Sequence, residues 1–191
     1  MTVVHRKELD PPAVDRQEIL RYAFCRQGDE ATEQLLDRCL ASALPAISYR
    51  VCWLETPVSI RGSVCDFGDF QLSSRRLAKH LTGCSRAVIF AATLGVEMDR
   101  LISKFGHLSP AMGLMMQAVG TERIEALCDA FCGELNNAAA RFSPGYGDLK
   151  LTAQSVLFEQ LDCPRQIGLS LNDSLVMSPS KSVTAIVGLM D

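Results

Sequence analysis

Hydrophobic positions in the first quarter of the chain recur at helical spacing. After the two prolines at 11–12, this spacing covers residues 14–26 and then residues 30–44, which run up to Pro45. Each segment has one apolar stripe and a polar remainder, the pattern of a short amphipathic helix. Two such helices, separated near Gly28, predict an N-terminal helical hairpin.

The pattern then changes to one that is typical of strands. Apolar residues occupy alternate positions from Ile47 to Trp53, and the same period continues through residues 58–60 and Val64. Three short strands are expected here. Residues 87–92 form an uninterrupted apolar run instead, which favours a strand covered on both faces.

Two helices are predicted on either side of that apolar run. Ser73 or Ser74 can cap the first, which is expected to end at Gly83 because glycine readily takes the positive φ of a helix C-terminus. The second covers residues 96–105.

The longest predicted helix starts at Ser109 and Pro110, a capping side chain followed by the residue preferred at the first helical position. Its helical pattern extends to about Ala140. Glycines at 113, 120 and 133 weaken a helix interior, so a break or close packing is expected near one of them.

The last third of the chain has a different character. Residues 141–149 are rich in glycine and proline and predict an irregular segment, and residues 153–161 predict a short helix. Residues 167–177 and 182–190 predict two strands joined around Pro179.

Helices and strands are thus mixed without a regular β-α-β alternation. This order predicts an α+β fold with a twisted, mostly antiparallel sheet packed with helices, one of them long. The 191 residues suit a main domain at 46–191 preceded by a tail and helical hairpin at 1–45.

Charge and hydropathy exclude two classes of partner. Nineteen basic and 22 acidic residues give a net charge of -3, and no basic cluster is interleaved with aromatics, which disfavours nucleic acid. The most apolar stretches are about half of the roughly 20 residues that a membrane span needs. The first residues lack the apolar core of a signal peptide, so a cytoplasmic protein without a membrane partner is expected.

Cysteine and histidine offer little sign of metal or catalytic chemistry. The eight cysteines include no C-x-x-C pair and mostly have apolar neighbours, as expected of buried, reduced thiols. Cys128 and Cys132 are spaced to share a metal on one helix face but have no third ligand in the pattern. None of the three histidines lies in a catalytic motif, and glycine-rich phosphate loops are absent.

The segment RFSPGYG at 141–147 carries the most distinctive side chains. Arg141 offers a planar fork of donors that matches a carboxylate, and Gly145 and Gly147 let the backbone approach a ligand. Tyr146 adds a ring that can cover an adenine or face a sulfonium. From spacing alone, the segment also fits an ordinary turn after a helix, closed by an aromatic side chain.

A second segment, MSPSKSV at 177–183, places several hydroxyl groups between two apolar strands. By itself this pattern equally predicts a polar hairpin tip.

Together the two segments resemble the activation domain of cobalamin-dependent methionine synthase, and more closely the short stand-alone proteins related to it. That family carries R-x-x-P-G-Y and, some tens of residues later, M-x-P-x-x-S-V-[ST]; here they stand as RFSPGYG and MSPSKSVTA. LAKHLTGC, FAATLGVEMDRLI and AVGTERIEALCDAF also look similar to the stand-alone members. The resemblance extends from about residue 14 over most of the chain.

The resemblance implies an α+β domain that holds S-adenosylmethionine in a shallow groove. Arg141 would meet the methionine carboxylate, the backbone at Ser143 the adenine end, and Tyr146 would line the site. Glu125 would be the carboxylate for the ligand ammonium, with Asp66 and Glu55 as rivals. The other motif residues expected at the ligand are Pro144, Gly145, Ser178 and Ser182.

The resemblance also implies a role in the reductive reactivation of cobalamin. In this reaction one electron comes from flavodoxin or a similar donor, and a methyl group comes from S-adenosylmethionine. The sequence has no D-x-H-x-x-G element for cobalt ligation, and Ala185 stands where the family often has glycine. We therefore expect cobalamin only through a partner, a methionine synthase subunit or another corrinoid protein. The alternatives are a non-catalytic S-adenosylmethionine sensor or adaptor, and a fold reused for another small molecule.

Overall fold

The computed structural model describes residues 3–25 and 29–190. Its helices are α1 Arg16–Tyr22, α2 Glu30–Ala43, α3 Arg75–His80, α4 Val96–Leu108, α5 Pro110–Gly133, α6 Ala153–Leu161 and α7 Cys163–Ile167. Its strands are β1 His5–Glu8, β2 Arg50–Pro57, β3 Ser59–Arg61, β4 Val64–Asp66, β5 Gln71–Ser73, β6 Cys84–Thr93, β7 Ser170–Leu171, β8 Met177–Ser178 and β9 Ser182–Met190.

A four-stranded sheet in the order β1-β2-β6-β9 forms the centre of the fold. Every neighbouring pair is antiparallel, and Trp53, Phe90 and Ala185 lie opposite one another across β2, β6 and β9. Strands β3-β4-β5 and β7-β8 form two small antiparallel sheets. The predicted α+β class with a mostly antiparallel sheet and one long helix is confirmed.

Helices cover both faces of the central sheet. On one face, α1, α2, α4 and α5 build a core with Phe90 and Val187, while on the other, α3, α6, α7 and β3–β5 build a core with Ile89 and Ile186. Because successive side chains of a strand point to opposite faces, β6 is buried on both sides from Ala87 onward. The apolar run in the sequence predicted this strand correctly.

The N-terminal segment belongs to the first of these cores. Strand β1 pairs with β2, where the sequence pattern had predicted only a tail. The fully buried guanidinium of Arg123 on α5 donates to the carbonyls of Pro12 and Ala13, at 2.7 and 2.6 Å. Glu122 accepts a hydrogen bond from the backbone N–H of Asp15 at 2.9 Å. The boundary between 1–45 and 46–191 stays a prediction, but the two parts pack together.

The two helices of the predicted hairpin are present, and the first is shorter than predicted. Helix α2 ends within one residue of its predicted end, whereas α1 stops at Tyr22. Phe24 takes a positive φ of 58°, which an α-helix cannot continue through. The predicted end of this helix, at Arg26 and Gly28, lies outside the described residues.

Helix α5 is continuous through two of its three interior glycines. A Cβ on Gly113 would lie 2.7 Å from Gly106 Cα, so this glycine permits close packing of α4 on α5. The helix ends at Gly133, and the prediction that it reaches Ala140 was wrong. Asn137 takes a positive φ of 55° and Ala138 pairs with β9 instead, which redirects the chain along the sheet.

Predictions for the C-terminal third were correct for two elements and wrong for one. Helix α6 and strand β9 have their predicted bounds. The single strand expected over 167–177 is replaced by the end of α7 and the two-residue strands β7 and β8, because Gly168 and Leu175 both take positive φ.

Three elements in the middle of the chain also differ from the prediction. Strand β5 was not predicted, α3 ends before Gly83, and α4 continues to Leu108. Within the described residues, no helix combines the length and apolarity required to cross a bilayer.

Candidate functional site

A cavity of about 620 Å³ opens beside the start of β9, on the edge of the strand that faces away from β6. Most of its lining comes from the C-terminal half of α5, the irregular segment at 139–146 and the start of β9, and α6 and β8 contribute one residue each. Its lining residues are Glu125, Asp129, Cys132, Ala139, Ala140, Arg141, Phe142, Ser143, Pro144, Tyr146, Gln154, Met177, Ser182, Val183 and Thr184.

The segment after α5 reaches the cavity because it pairs with β9. Phe142 and Ile186 exchange two backbone hydrogen bonds of 2.9 Å. This pairing fixes the position of Arg141 beside the edge of the sheet, where its side chain reaches α5. Past Phe142 the chain turns away from β9 at the buried Pro144, which leaves room for the cavity.

The guanidinium of Arg141 is the central charged group of the cavity. Its Nη2 donates to Glu125 Oε2 at 3.0 Å and to Asp129 Oδ1 at 2.8 Å, and 22% of the side chain is exposed. Burial by itself would lower the pKa of Arg141, but Cys128, Glu125 and Asp129 nearby raise it above its ordinary value. The cavity therefore contains one fixed cation beside two carboxylates that are one helical turn apart.

Residues 143–149 form a closed turn at the mouth of the cavity. Tyr146 N–H donates to the Ser143 carbonyl at 3.2 Å, Leu149 N–H to Tyr146 at 3.1 Å, and Gly145 N–H to Leu149 at 2.9 Å. Gly145 and Gly147 take φ values of 88° and 59°, conformations that favour glycine. The turn leaves the Tyr146 side chain 69% exposed at the rim.

Strand β9 presents polar backbone to the same space. In an antiparallel strand, the N–H and C=O groups of every second residue point to the same edge. Because Ile186 is bonded to Phe142, the N–H and C=O of Thr184 face the cavity side, beyond the point where the adjoining segment departs. These groups can donate to and accept from a planar ligand.

The hydroxyl-rich tip before β9 is tied to the body of the protein. Ser182 Oγ lies 2.8 Å from both Thr93 Oγ1 and the Pro179 carbonyl. Ser180 donates through its backbone N–H and its hydroxyl to Asp99 on α4, at 2.8 and 2.6 Å. The tip therefore has a defined position relative to the cavity.

The structure brings together most residues that the sequence nominated. The cavity is lined by Arg141, Ser143, Pro144, Tyr146, Glu125 and Ser182. Gly145 shapes the turn without lining the cavity, and Ser178 lies in β8, where its carbonyl accepts from Ser170 Oγ at 3.1 Å.

The two rival carboxylates lie elsewhere. Glu55 on β2 pairs with Arg86, and Asp66 on β4 accepts hydrogen bonds from Gly68 N–H and Gln71, at 2.9 and 2.8 Å. Neither residue lines the cavity. Glu125 is therefore the member of the three that the fold places beside Arg141.

Sequence reasoning missed several lining residues. Asp129 and Cys132 follow Glu125 by four and seven positions in the sequence, the spacing of one helix face, so helical periodicity could have nominated them. Gln154, Met177 and Thr184 come from elements whose approach depends on the tertiary fold.

The thiols of α5 are protonated at neutral pH. Burial raises the pKa of Cys132 to about 11 and also raises that of Cys128. Among the described residues, no three His, Cys, Asp or Glu side chains are grouped to hold a metal ion.

Comparison with known proteins finds a similarity of fold but none of sequence. No protein-family model matches the sequence, and no curated protein matches it either. A crystal structure of the MetH reactivation domain bound to AdoHcy superimposes with a TM-score of 0.73 and 15% sequence identity. The match covers 97% of this chain and 78% of that one. At this identity the likeness establishes the fold: this chain has the α+β architecture of the MetH reactivation domain.

Proposed function

We propose that the chain binds S-adenosylmethionine in the cavity beside Arg141. The observation that carries this proposal is the grouping of one partly buried guanidinium with two carboxylates, Glu125 and Asp129, in the lining of a cavity of about 620 Å³. Small-molecule sites commonly have volumes of about 300–1,000 Å³ and a few convergent polar groups.

The charges match the amino-acid end of the ligand. A methionine-type end carries one carboxylate and one ammonium group on the same carbon. The ligand carboxylate can form a bidentate pair with the Arg141 guanidinium. One of the two protein carboxylates then loses its bond to Arg141 and can accept hydrogen bonds from the ligand ammonium. Glu125 is the preferred partner, because its side chain is 42% exposed and that of Asp129 is 72% exposed.

The neighbouring part of the lining, which follows Arg141 in the chain, suits a nucleoside. Tyr146 and Pro144 offer flat or apolar surface for the adenine, and the backbone at Ser143 offers polar groups to its edge. The Tyr146 ring can also face the sulfonium, since a cation is attracted to an aromatic face. The structural neighbour supports this assignment, because it was crystallised with AdoHcy, a molecule with the same two ends.

The cellular role that we propose is support for reductive methylation of cobalamin on a separate methionine synthase subunit or other corrinoid protein in the cytoplasm. A donor such as flavodoxin supplies one electron to cob(II)alamin. The methyl group then passes from the sulfonium sulfur to reduced cobalt and leaves S-adenosylhomocysteine. This chain contributes the position and charge environment of the methyl donor.

The decisive measurement is calorimetric titration of the whole chain with S-adenosylmethionine and S-adenosylhomocysteine. We expect each ligand to bind with a stoichiometry of one per chain at the same site. If Tyr146 faces the sulfonium, S-adenosylmethionine will bind with the higher affinity. A methyl-transfer assay follows, with a reduced corrinoid protein added and methylcobalamin detected by its absorption spectrum.

The outcomes separate the candidate roles. Binding together with methylcobalamin formation supports reactivation, and binding without it supports a sensor or adaptor. If neither ligand binds, the cavity serves another molecule and the proposal is wrong.

A further inference from the structure

The side chain of Asp148 links the turn formed by residues 143–149 to helix α3. Its carboxylate accepts hydrogen bonds from the backbone N–H groups of Arg75 and Arg76, at 2.9 and 3.1 Å, and from the hydroxyl of Ser74. Ser74 Oγ in turn accepts from Leu77 N–H at 3.0 Å and caps the helix. One carboxylate thus joins two segments that are about 70 positions apart in the sequence.

Close packing accompanies these bonds. A Cβ on Gly147 would come within 2.4 Å of Arg76 Cδ, so the turn lies directly against α3 at this point. Leu149, the next residue after Asp148, is buried in the core beneath α3 and α6. The three donors also hold the pKa of Asp148 well below its ordinary value, at about 2, so the carboxylate stays ionised at neutral pH.

Asp148 does not line the cavity, but two residues that do, Ser143 and Tyr146, belong to the same turn. Because the three backbone hydrogen bonds within the turn fix its shape, the position of Asp148 determines where those two residues lie. A turn with two glycines has many conformations in the absence of an outside anchor.

We propose that Asp148 is a positioning residue for ligand binding, which sets the placement of Tyr146 and of the Ser143 backbone by anchoring their turn to the N-terminus of α3. This inference rests on the proposed function, since it assigns the origin of affinity at the nucleoside end of that site.

The test measures S-adenosylmethionine affinity in Asp148→Ala by calorimetry. We expect binding to weaken by about five- to tenfold, because the turn must be ordered when the ligand binds. Asp148→Asn keeps the size of the side chain and is the milder variant to use if the alanine variant does not fold.

Asp29→Ala is the matched control. Asp29 also caps a helix with its carboxylate, since it accepts from Thr32 N–H at 2.8 Å at the start of α2, but it does not line the cavity. We expect this variant to lose stability without a change in affinity. If the role of Asp148 were purely structural, Asp148→Ala would likewise lose stability and keep its affinity for S-adenosylmethionine.

A double-mutant cycle with Tyr146→Ala tests the route. If Asp148 acts through the turn, Asp148→Ala will cause a smaller loss of affinity in the Tyr146→Ala variant than in the unaltered chain, and the loss that remains reports the part carried by the Ser143 backbone. Losses that multiply in the double variant, or unchanged affinity in Asp148→Ala, would overturn the inference alone. Absence of binding by the unaltered chain would overturn it together with the proposed function.

Discussion

The guanidinium of Arg141 donates to the carboxylate of Asp129, twelve residues earlier on α5, over a distance of 2.8 Å. The same nitrogen donates to Glu125 at 3.0 Å. A ligand carboxylate must compete with both acids for this guanidinium. Affinity for an amino-acid end therefore depends on how three side chains exchange partners, and Arg141 by itself does not determine it.

Removal of the guanidinium should weaken S-adenosylmethionine binding strongly. For Arg141→Ala we expect a loss of about 1.5–3 kcal/mol, or roughly 10- to 150-fold in the dissociation constant, because a charge-assisted pair is lost. Arg141→Lys should recover part of it, since lysine keeps the charge without the bidentate fork. Calorimetry measures both, and Arg86→Ala, outside the cavity, is the control. Equal affinity in Arg141→Ala and the unaltered chain would remove the site assignment.

The two carboxylates should contribute unequally. We expect Glu125→Gln to weaken S-adenosylhomocysteine binding by about three- to tenfold, and Asp129→Asn by less than about threefold, because the more exposed charge is better screened by water. A deaminated ligand, which lacks the ammonium group, should lose this difference. A larger effect at Asp129 would reverse the assignment of the ammonium partner.

Ligand binding should protect Cys132 from alkylation. This thiol lines the cavity, is partly exposed, and has a pKa raised by burial to about 11. Its labelling rate should therefore increase with pH through neutral and mildly alkaline conditions, because the thiolate is the reactive form. Cys25, also partly exposed but outside the cavity, is the internal control for mass spectrometry. Equal protection of both thiols by S-adenosylhomocysteine would contradict a ligand beside Cys132.

The buried ion pair of Arg123 and Glu122 should matter for stability. Both side chains are almost fully buried, and Arg123 also holds the N-terminal segment through two carbonyls. Arg123→Met leaves a carboxylate without its partner, so the free energy of unfolding should fall by about 3–5 kcal/mol in chemical denaturation. Arg100→Met, which breaks an exposed pair with Glu97, should cost less than about 1 kcal/mol. Similar losses in the two variants would show that burial of the Arg123 pair has no special effect.

Asp148 should make stability depend on pH in the acid range. Its pKa is lowered from an ordinary value near 3.8 to about 2 in the folded protein, by Ser74 and the two backbone N–H donors. A lowered pKa means that the contribution is complete above the unfolded-state pKa and is lost as the pH falls through about 2. The difference in unfolding free energy between the unaltered chain and Asp148→Asn should be constant near neutral pH and shrink below about pH 4. A difference that grows on acidification would contradict this pKa direction.

Local sequence patterns sufficed for several elements. Strand β9 and helix α6 have their predicted bounds, since a period of two or of 3.6 residues reports directly which side chains face a core. The apolar run of β6 likewise predicted cover on both faces. Where the backbone is redirected by single residues with positive φ, as at Phe24 and Leu175, the periodicity continued past the true end of the element. Side-chain hydrophobicity carries no signal for those turns.

The sequence by itself determined the α+β class and nominated Arg141 and Tyr146, because both follow from residue types within short segments. Only the tertiary structure decided that Glu125, and neither Glu55 nor Asp66, stands beside Arg141, and that Asp129 shares its guanidinium. It also decided that Asp148 anchors its turn to Ser74, far away in the chain. Contacts of this kind depend on how α5, β9 and α3 pack around one sheet, and that packing is a sum over many distant pairs that no local pattern contains.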